Sequence, residues 1–464
     1  MLHEAWAALQ GPADDPRTLE VTGGAGAGGL AAPLAGPLAT GELAVASAGA
    51  ALLAAAELAE ARGGARPVVA VDAAHVAVAF TSERHVRVDG GSAGAAMDPL
   101  SAFLPTADGW IRLHGNYPHH RAAVLRALGH PVDGAAGVPA LVAARPGVAL
   151  EDAVVAAGGC AAALRDPASW LAGDQGAALE GRGLLDFEPG VPRVTPPLSA
   201  PPSGATAAQP AAGLRILDLT RVIAGPVGTR VLAALGAQVL RVDAPLHAEL
   251  PLQWLDTGPG KRSAHLQLRS RPDRERLHRL LDDTDVLITG YRPGSLDPFG
   301  LSPDVLAEKH PHLCTVSLSA WGDSGPWRGR RGFDSLVQSA TGIASVASAD
   351  GGVTPGVLPA QALDHGTGYL IAAAALRALT LRAREQRASH ARVALARTAM
   401  WLLQHGDAVA RSAPELPPAA SFSTAPASPL GVVTVVRPPG TLDGEPLGWS
   451  AGPVVPGSDA PYWH

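Results

Sequence analysis

The stretch "LDLTRVIAGPVGTRVLAALGAQVLRVDAP" (217–245) reads as strand, turn, helix, strand. Its two ends are short runs rich in Leu and Val, of the length expected for buried strands. Between them Ala224 and Gly225 keep the turn bare. Pro226 can start the following helix, because its missing N–H would be unpaired there anyway. The helix is expected from about Val227. Such a turn lets a ligand approach the backbone and the helix N-terminus, where free N–H groups favour anions. An ordinary strand-to-helix connection has the same shape, so shape alone assigns no ligand.

From Leu214 the same rhythm continues. "QVLRVDA", "SAHLQL", a charged helix at about 272–283, "DVLITGY" and "LCTVSLSA" follow one another. This alternation predicts a parallel sheet wrapped by helices. Further on, "LPAQALDHGTGYLIAAAALRAL" (358–379) reads as an Ala-rich helix, followed by a polar break and "HARVALARTAMWLL" (390–403). A shadow of that segment occurs much earlier. There "ELAVASAGAALLAAAELAEARGGARPVVAVDAAHVAVAF" (42–80) repeats helix, Arg/Gly break and Val-rich strand. Laying Gly49 on Gly368 puts Val45 where Asp364 stands. A repeated scaffold with one carboxylate suggests that the carboxylate does more than hold the fold. The bland alternative is a helix N-cap, a position that Asp favours.

With 464 residues the chain can hold two or three domains and a sizeable core. A hydrophobic share of 47% with 17% charged residues is globular rather than disordered. The net charge of −6 argues against general nucleic-acid binding, although local basic clusters can still grip phosphates. Cys160 and Cys314 are the only cysteines and form no CxxC pattern, which argues against a disulfide framework or a thiolate metal site. The start "MLHEAWAALQ" lacks the pattern of a secretory signal. The best membrane candidate, 43–59, is about 17 residues, mostly Ala with Glu57 inside, and is expected to be too short and too weakly apolar to span. A soluble cytoplasmic protein with no membrane partner is the default expectation.

Punctuation divides the chain. Residues 1–41 are Gly/Pro-rich; 42–195 hold the early helix–strand unit and a compact module; 196–213 are a Pro/Ala/Ser linker. In the module, "FLPTADGWIRLHGN" (103–116) is expected as a strand and "HHRAAVLRALG" (119–129) as a helix closed by Gly129. Residues 214–405 form the large unit, and the Pro/Ser/Gly-rich tail 406–464 is expected as an extended arm. Cations recur beside Gly or Pro in the large unit: Lys261 and Arg262, then Arg292, then Arg328, Arg330 and Arg331. Clusters following the strand ends of one open sheet point to a polyphosphate ligand at its carboxyl edge. "GAGAGG" (24–29) satisfies a dinucleotide-binding pattern, but Pro33 and Pro37 forbid the helix that it must open. His114, His119, His120 and His130 form a local enrichment without an acid at ligand spacing, so no metal is expected there.

Together, "LDLTRVIAGP", "GAQVLRVDAP", "GKRS", "DVLITGYRPGSLDPFGL", "GPW" and "ALDHGTGYL" resemble the family III CoA-transferases over about 214–405. The resemblance implies an α/β fold, with a Rossmann-like open parallel-sheet large domain and a smaller α+β domain. It also implies acyl-CoA and a carboxylic acid as substrates, no tightly bound cofactor, and a homodimer whose chains interlock. The segment order differs from an ordinary member, because the helix–strand unit and small domain come first. The small domain can then serve the large domain of its own chain or of a partner.

The resemblance makes Asp364 the nucleophile, attacking an acyl-CoA thioester to form an anhydride and then an aspartyl-CoA thioester. Its helix N-terminus would offer N–H groups to the anion and to oxyanion intermediates. CoA contacts carry over to Ile223, Ala224, Leu266, Gln267, Leu268, Arg269, Gly290, Tyr291, Arg292 and Arg331. Gly290 stands where the family usually has Asn, which removes an amide contact. Ala244 and Pro298 stand where a formyl-CoA transferase carries CoA-binding arginines, with Arg330 or Arg292 available to compensate. His365 is expected to point elsewhere.

An acyl-CoA racemase of the same fold is the first rival, but it needs a His directly before the acid at 334. Here the triplet is Gly332-Phe333-Asp334, and Phe cannot move a proton. Asp334 then reads as a structural acid. A non-catalytic CoA-binding protein is the second rival, and "GGSAGAA" (90–96) is a candidate glycine-rich lid.

Overall fold

Seven strands build the main sheet, in the order Lys261–His265, Gln238–Asp243, Arg215–Leu219, Val286–Thr289, Cys314–Ser319, Ser389–Ala394, Leu185–Pro189. The computed structural model describes residues 1–24, 31–94, 97–129, 136–190, 197–246, 248–406 and 416–463. The first six strands are parallel and the last is antiparallel. Numbered along the chain, the parallel strands run 3-2-1-4-5-6, the doubly wound order. Val239, Leu240, Ile216, Leu217, Ile288 and Val316 are all buried, as a parallel sheet covered on both faces demands. The expected parallel α/β large domain is therefore present. The chain reverses its winding direction between Arg215–Leu219 and Val286–Thr289.

The helix after the first strand spans Ala224–Ala234 and starts ahead of the expected Val227. Pro226 lies inside its first turn, where no N–H is needed. The helix that carries Asp364 runs Ala362–Glu385 and packs against both the Ala224–Ala234 helix and the early helix Thr40–Ala61. Glycine makes the first contact possible. A Cβ on Gly368 would stand 2.6 Å from the Ala224 carbonyl oxygen, and one on Gly228 would stand 2.7 Å from the Gly368 carbonyl oxygen. Any side chain there would push the Asp364 helix off the turn.

The early helix corrects one expectation. It is 22 residues long and, by length and composition alone, apolar enough to cross a membrane. In this fold its length is a core feature, since 89% of the apolar window is buried. Glu57 within it is fully buried and accepts hydrogen bonds from Arg377 at 2.8 Å and Arg384 at 2.7 Å, both on the Asp364 helix.

The smaller α+β unit has its own core of Ile111, Leu113, Val124, Leu125 and Val154. The segment 103–116, expected as one strand, is a hairpin of Phe103–Pro105 and Trp110–Leu113 extended by Ala161–Ala163. A tight turn divides it, with the Thr106 N–H donating to the Gly109 carbonyl at 2.8 Å. The helix Pro118–Leu128 ends at Gly129, whose φ of 69° is left-handed. The strand Leu185–Pro189 precedes the linker yet closes the edge of the main sheet, pairing with Ser389–Ala394.

The tail is an arm with structure of its own. Val433–Val436 pairs with Arg87–Val88, and Thr441–Leu442 pairs with the early strand Val69–Asp72. Beyond them the Trp449 indole donates to the Arg230 carbonyl and the Trp463 indole to the Leu280 carbonyl. In the candidate lid, Gly91–Ser92 is a strand paired with Arg87–Val88 rather than an open loop. Residues 95 and 96 lie outside the described residues, as do most of 24–29 and His130.

Candidate active site

In a doubly wound sheet a crevice opens at the carboxyl edge where the winding reverses. A cleft of about 340 Å³ lies there, between the 220–224 turn, the 290–295 loop and the small α+β unit. The turn is held in an unusual conformation. Val222 has a φ of 70°, a left-handed value that a β-branched residue rarely adopts. Its N–H donates to Glu249 Oε2 at 2.9 Å. Arg241 donates to the same oxygen at 2.6 Å, and the Tyr117 hydroxyl donates to Oε1 at 2.7 Å. Burial would raise the Glu249 carboxyl, but Arg241 and Arg221 pull it down to about 2. One buried carboxylate thus ties the strained turn to the small unit.

Asp364 sits in the first turn of its helix, two residues inside the start at Ala362, with Gln361 flanking. It is not the N-cap. The N–H groups of Leu363 and Asp364 each donate to Asp334 Oδ2 at 3.0 Å, so they are unavailable to the oxyanion role expected of them. Asp334 caps the helix from outside, with its other oxygen accepting from Gln338. Burial lifts the Asp334 carboxyl to about 6, against the opposing pull of these hydrogen bonds. Asp364 is raised well above the usual carboxylate range, first by burial and then by the charges of Asp334 and Glu83. Glu83 comes from the early part of the chain and lies 3.4 Å from His365 Nε2. His365 is fully buried and turned away from the cleft, as expected.

Ile223, Ala224, Gly290, Tyr291, Arg292 and Arg331 line the same cleft as Asp364. Leu266, Gln267, Leu268 and Arg269 do not. They follow the strand Lys261–His265, which lies two strands from the winding reversal. Leu266 is buried in the core beneath that edge, Gln267 donates its N–H to Asp273, and Arg269 is solvent-exposed.

The cations divide similarly. Lys261 and Arg262 begin a strand rather than follow one. Lys261 is buried against Asp218, Thr229 and the Pro226 carbonyl, and burial lowers it to about 8 although Asp218 opposes this. Arg262 holds Asp459 and the tail. Arg330 is committed to Glu151 and Asp152 at 2.9 Å each, so it is not free to compensate for the absent arginines. Among the described residues, Arg292, Arg328 and Arg331 have no acidic partner. Burial, and then the neighbouring charge of Arg331, lower the Arg292 guanidinium.

Tyr117, His119, His120, Arg221 and Phe333 complete the cleft and were not assigned from sequence. The local histidine enrichment is the sequence signal for this wall, as aromatic rings facing the cleft rather than as metal ligands. His114 stacks flat on Phe333, with ring centroids 3.7 Å apart and planes inclined by 3°. The small unit therefore faces Asp364 of its own chain.

Residues 212–429 match the family model described as CoA-transferase family III. Over this region the chain is similar to that family. Within curated relatives, a probable fatty acyl-CoA transferase of Mycobacterium tuberculosis is 34% identical over 185 residues, covering 37% of this chain and 47% of that protein. The beta subunit of a succinyl-CoA–L-malate CoA-transferase of Chloroflexus aurantiacus is 34% identical over 167 residues, covering 33% of this chain and 41% of that one. The chain thus spans under half the length of these relatives. A crystal structure of the Mycobacterium tuberculosis protein is 33% identical and covers 42% of this chain and 57% of its own, with a TM-score of 0.40. A CAIB/BAIF family protein from Brucella suis is 27% identical and covers 44% and 60%, with a TM-score of 0.38. The family III region begins where the linker ends and contains Asp364 and most of the cleft wall.

Proposed function

We propose that the chain moves CoA from an acyl-CoA thioester to a carboxylic acid acceptor, with Asp364 as the nucleophile. The observation that carries this reading is the placement of one buried carboxylate at the inner end of a cleft whose outer rim bears Arg292, Arg328 and Arg331. Three guanidinium groups without an acidic partner among the described residues, two of them held only by the Gly329 and Gly158 carbonyls, suit the phosphates of CoA. Shielding from water protects the anhydride and thioester that Asp364 would carry, while burial itself holds the free acid toward its protonated form.

The Asp364 carboxylate attacks the thioester carbonyl carbon, the C–S bond breaks and the CoA thiolate leaves. The thiolate then attacks the Asp364 side-chain carbonyl of the mixed anhydride, releasing the first acid and forming an aspartyl-CoA thioester. An acceptor carboxylate displaces the thiolate again, and the thiolate attacks the acceptor's carbonyl to give the new acyl-CoA and free Asp364. Throughout, Asp334 holds the backbone of residues 363 and 364 by two hydrogen bonds, which keeps the nucleophile in register with the turn. Assembly as a homodimer belongs to the same proposal, and light scattering at twice the chain mass would support it.

Incubation with an acyl-CoA followed by borohydride would reduce the aspartyl-CoA thioester to a homoserine residue at position 364. Mass spectrometry locates that residue. Equal hydroxylamine-trapped label in wild type and Asp364→Ala would overturn the assignment.

A further inference from the structure

Behind the cleft, a second cavity of about 10 Å³ shares Val222, Ile223, Phe333 and Asp364 with it. That space holds about one water-sized group. Asp364 stands at the junction of the two. If CoA lies along the arginine-rimmed cleft, the acyl group on the far side of the attacked carbonyl enters this inner space.

The inner wall is polar on one side, with Met97, Val222, Ile223 and Phe333 supplying the rest. Gln253 is 4% exposed and His114 is 3% exposed; His114 Nδ1 is buried without a partner, and no hydrogen bond joins the Gln253 side chain to another described residue. The same holds for the Gln361 amide and the Ser335 hydroxyl, which also line the space. Asn116 is oriented by its neighbours. Its Oδ1 accepts from the Asp98 N–H at 2.8 Å and from the Ser101 hydroxyl at 2.7 Å, which leaves its NH₂ group as the unused donor. Buried polar groups are ordinarily paired, so Gln253 and His114, with the half-buried Ser335 and Gln361 beside them, mark the place of a polar partner.

The charge around the space selects the kind of partner. Asp364 lines it, and Asp334 and Glu83 both act on Asp364. A second carboxylate would therefore meet repulsion. Arg112 is a nearby buried cation, but it lines neither cavity, and its Nη2 is turned to the Met97 sulfur at 3.4 Å. A hydroxyl fits in size, charge and hydrogen bonding, because it both accepts from amide NH₂ groups and donates to amide oxygens. A long alkyl chain has no room.

We infer that the acyl group this site takes is a short hydroxyacyl, with its hydroxyl held by Gln253, Asn116 and their neighbours in the inner cavity. The inference rests on the CoA-transfer reading above. Its test is label exchange between an acyl-CoA and its own free acid, run for glycolyl-, acetyl-, malonyl- and palmitoyl-CoA. Glycolyl exchange should exceed acetyl exchange by about tenfold in kcat/KM, the scale of one hydrogen-bonded hydroxyl. Malonyl and palmitoyl exchange should fall below both. In Gln253→Met, and separately in Ser335→Ala, the glycolyl-to-acetyl ratio should drop toward one. Palmitoyl exchange as fast as glycolyl, or equal glycolyl and acetyl rates in the wild type, would overturn the hydroxyacyl assignment and leave CoA transfer standing. Absence of exchange with all four donors would instead remove the transfer reading and this inference with it.

Discussion

The early helix Thr40–Ala61 and the Asp364 helix Ala362–Glu385 are both long, Ala-rich and buried on nearly every side, and they pack against each other. Each is followed by a Val-containing strand and then a second helix, Ala73–Ala79 or Leu395–Gln404. They differ where Asp364 aligns with Val45. At the early helix, Val45 is 2% exposed in an apolar core, and the N-cap residue is Ala39, which has no capping side chain. At the later helix, Asp334 caps the first turn, and the aligned acid lies against a cleft. At this aligned position the early copy is apolar. The other accepts two buried like charges, a cost that packing would not impose, which is the usual mark of a functional site.

The largest effect that would test this contrast is on turnover. Asp364→Asn should lower kcat by at least about a thousandfold, as expected when a covalent nucleophile is removed. Adding Val45→Asp to that variant should restore nothing; recovered transfer would show that the early copy still holds a competent site. A stability effect comes next. Glu57→Ala removes the buried carboxylate shared by Arg377 and Arg384, leaving Arg377 only the Leu9 and Gln10 carbonyls, and should cost about 3–5 kcal/mol in a denaturant titration. A loss within the scatter of surface substitutions would mean that the pairing does not bind the copies together.

The aligned glycines offer a finer probe. Gly368→Ala meets the Ala224 backbone oxygen at 2.6 Å and should destabilise by about 1–3 kcal/mol while slowing transfer. Gly49→Ala meets Leu19 Cδ2 at 2.5 Å, the mobile end of a side chain, and should cost less than about 1 kcal/mol. Equal costs would remove the distinction between the two positions.

The smallest effect is a pH dependence of stability. Folding raises Asp364 above its unfolded range, so the folded state binds its proton more tightly and stability falls as pH climbs through the raised range. Asp334 acts in the same direction between about 4 and about 6. Asp364→Asn should therefore raise the melting temperature by a few degrees near pH 8, with the gain fading toward pH 4. A constant difference across that range would mean that Asp364 is not strained by its neighbours.

Much of the large domain was legible because its strands are contiguous apolar runs separated by turn residues, a signal that needs no tertiary information. The 103–116 hairpin was not, since its strands are short and its turn residues also occur within longer strands. The same limit affected the cations. Lys261 and Arg292 both stand beside glycine or proline, but one begins an outer strand and ends in a buried ion pair, while the other follows the strand at the winding reversal. Local spacing cannot distinguish these, because strand order is a long-range property.

Periodicity and residue type are local quantities, and they carry the α/β rhythm, the repeated helix–strand unit and the single acid that breaks the repeat. Only the tertiary structure decided that Asp334 takes the N–H groups of the Asp364 helix, that Glu83 reaches across from the early half, and that the small unit closes the cleft of its own chain. These contacts join residues dozens to hundreds of positions apart. Their existence depends on strand order and helix packing, which no local pattern encodes.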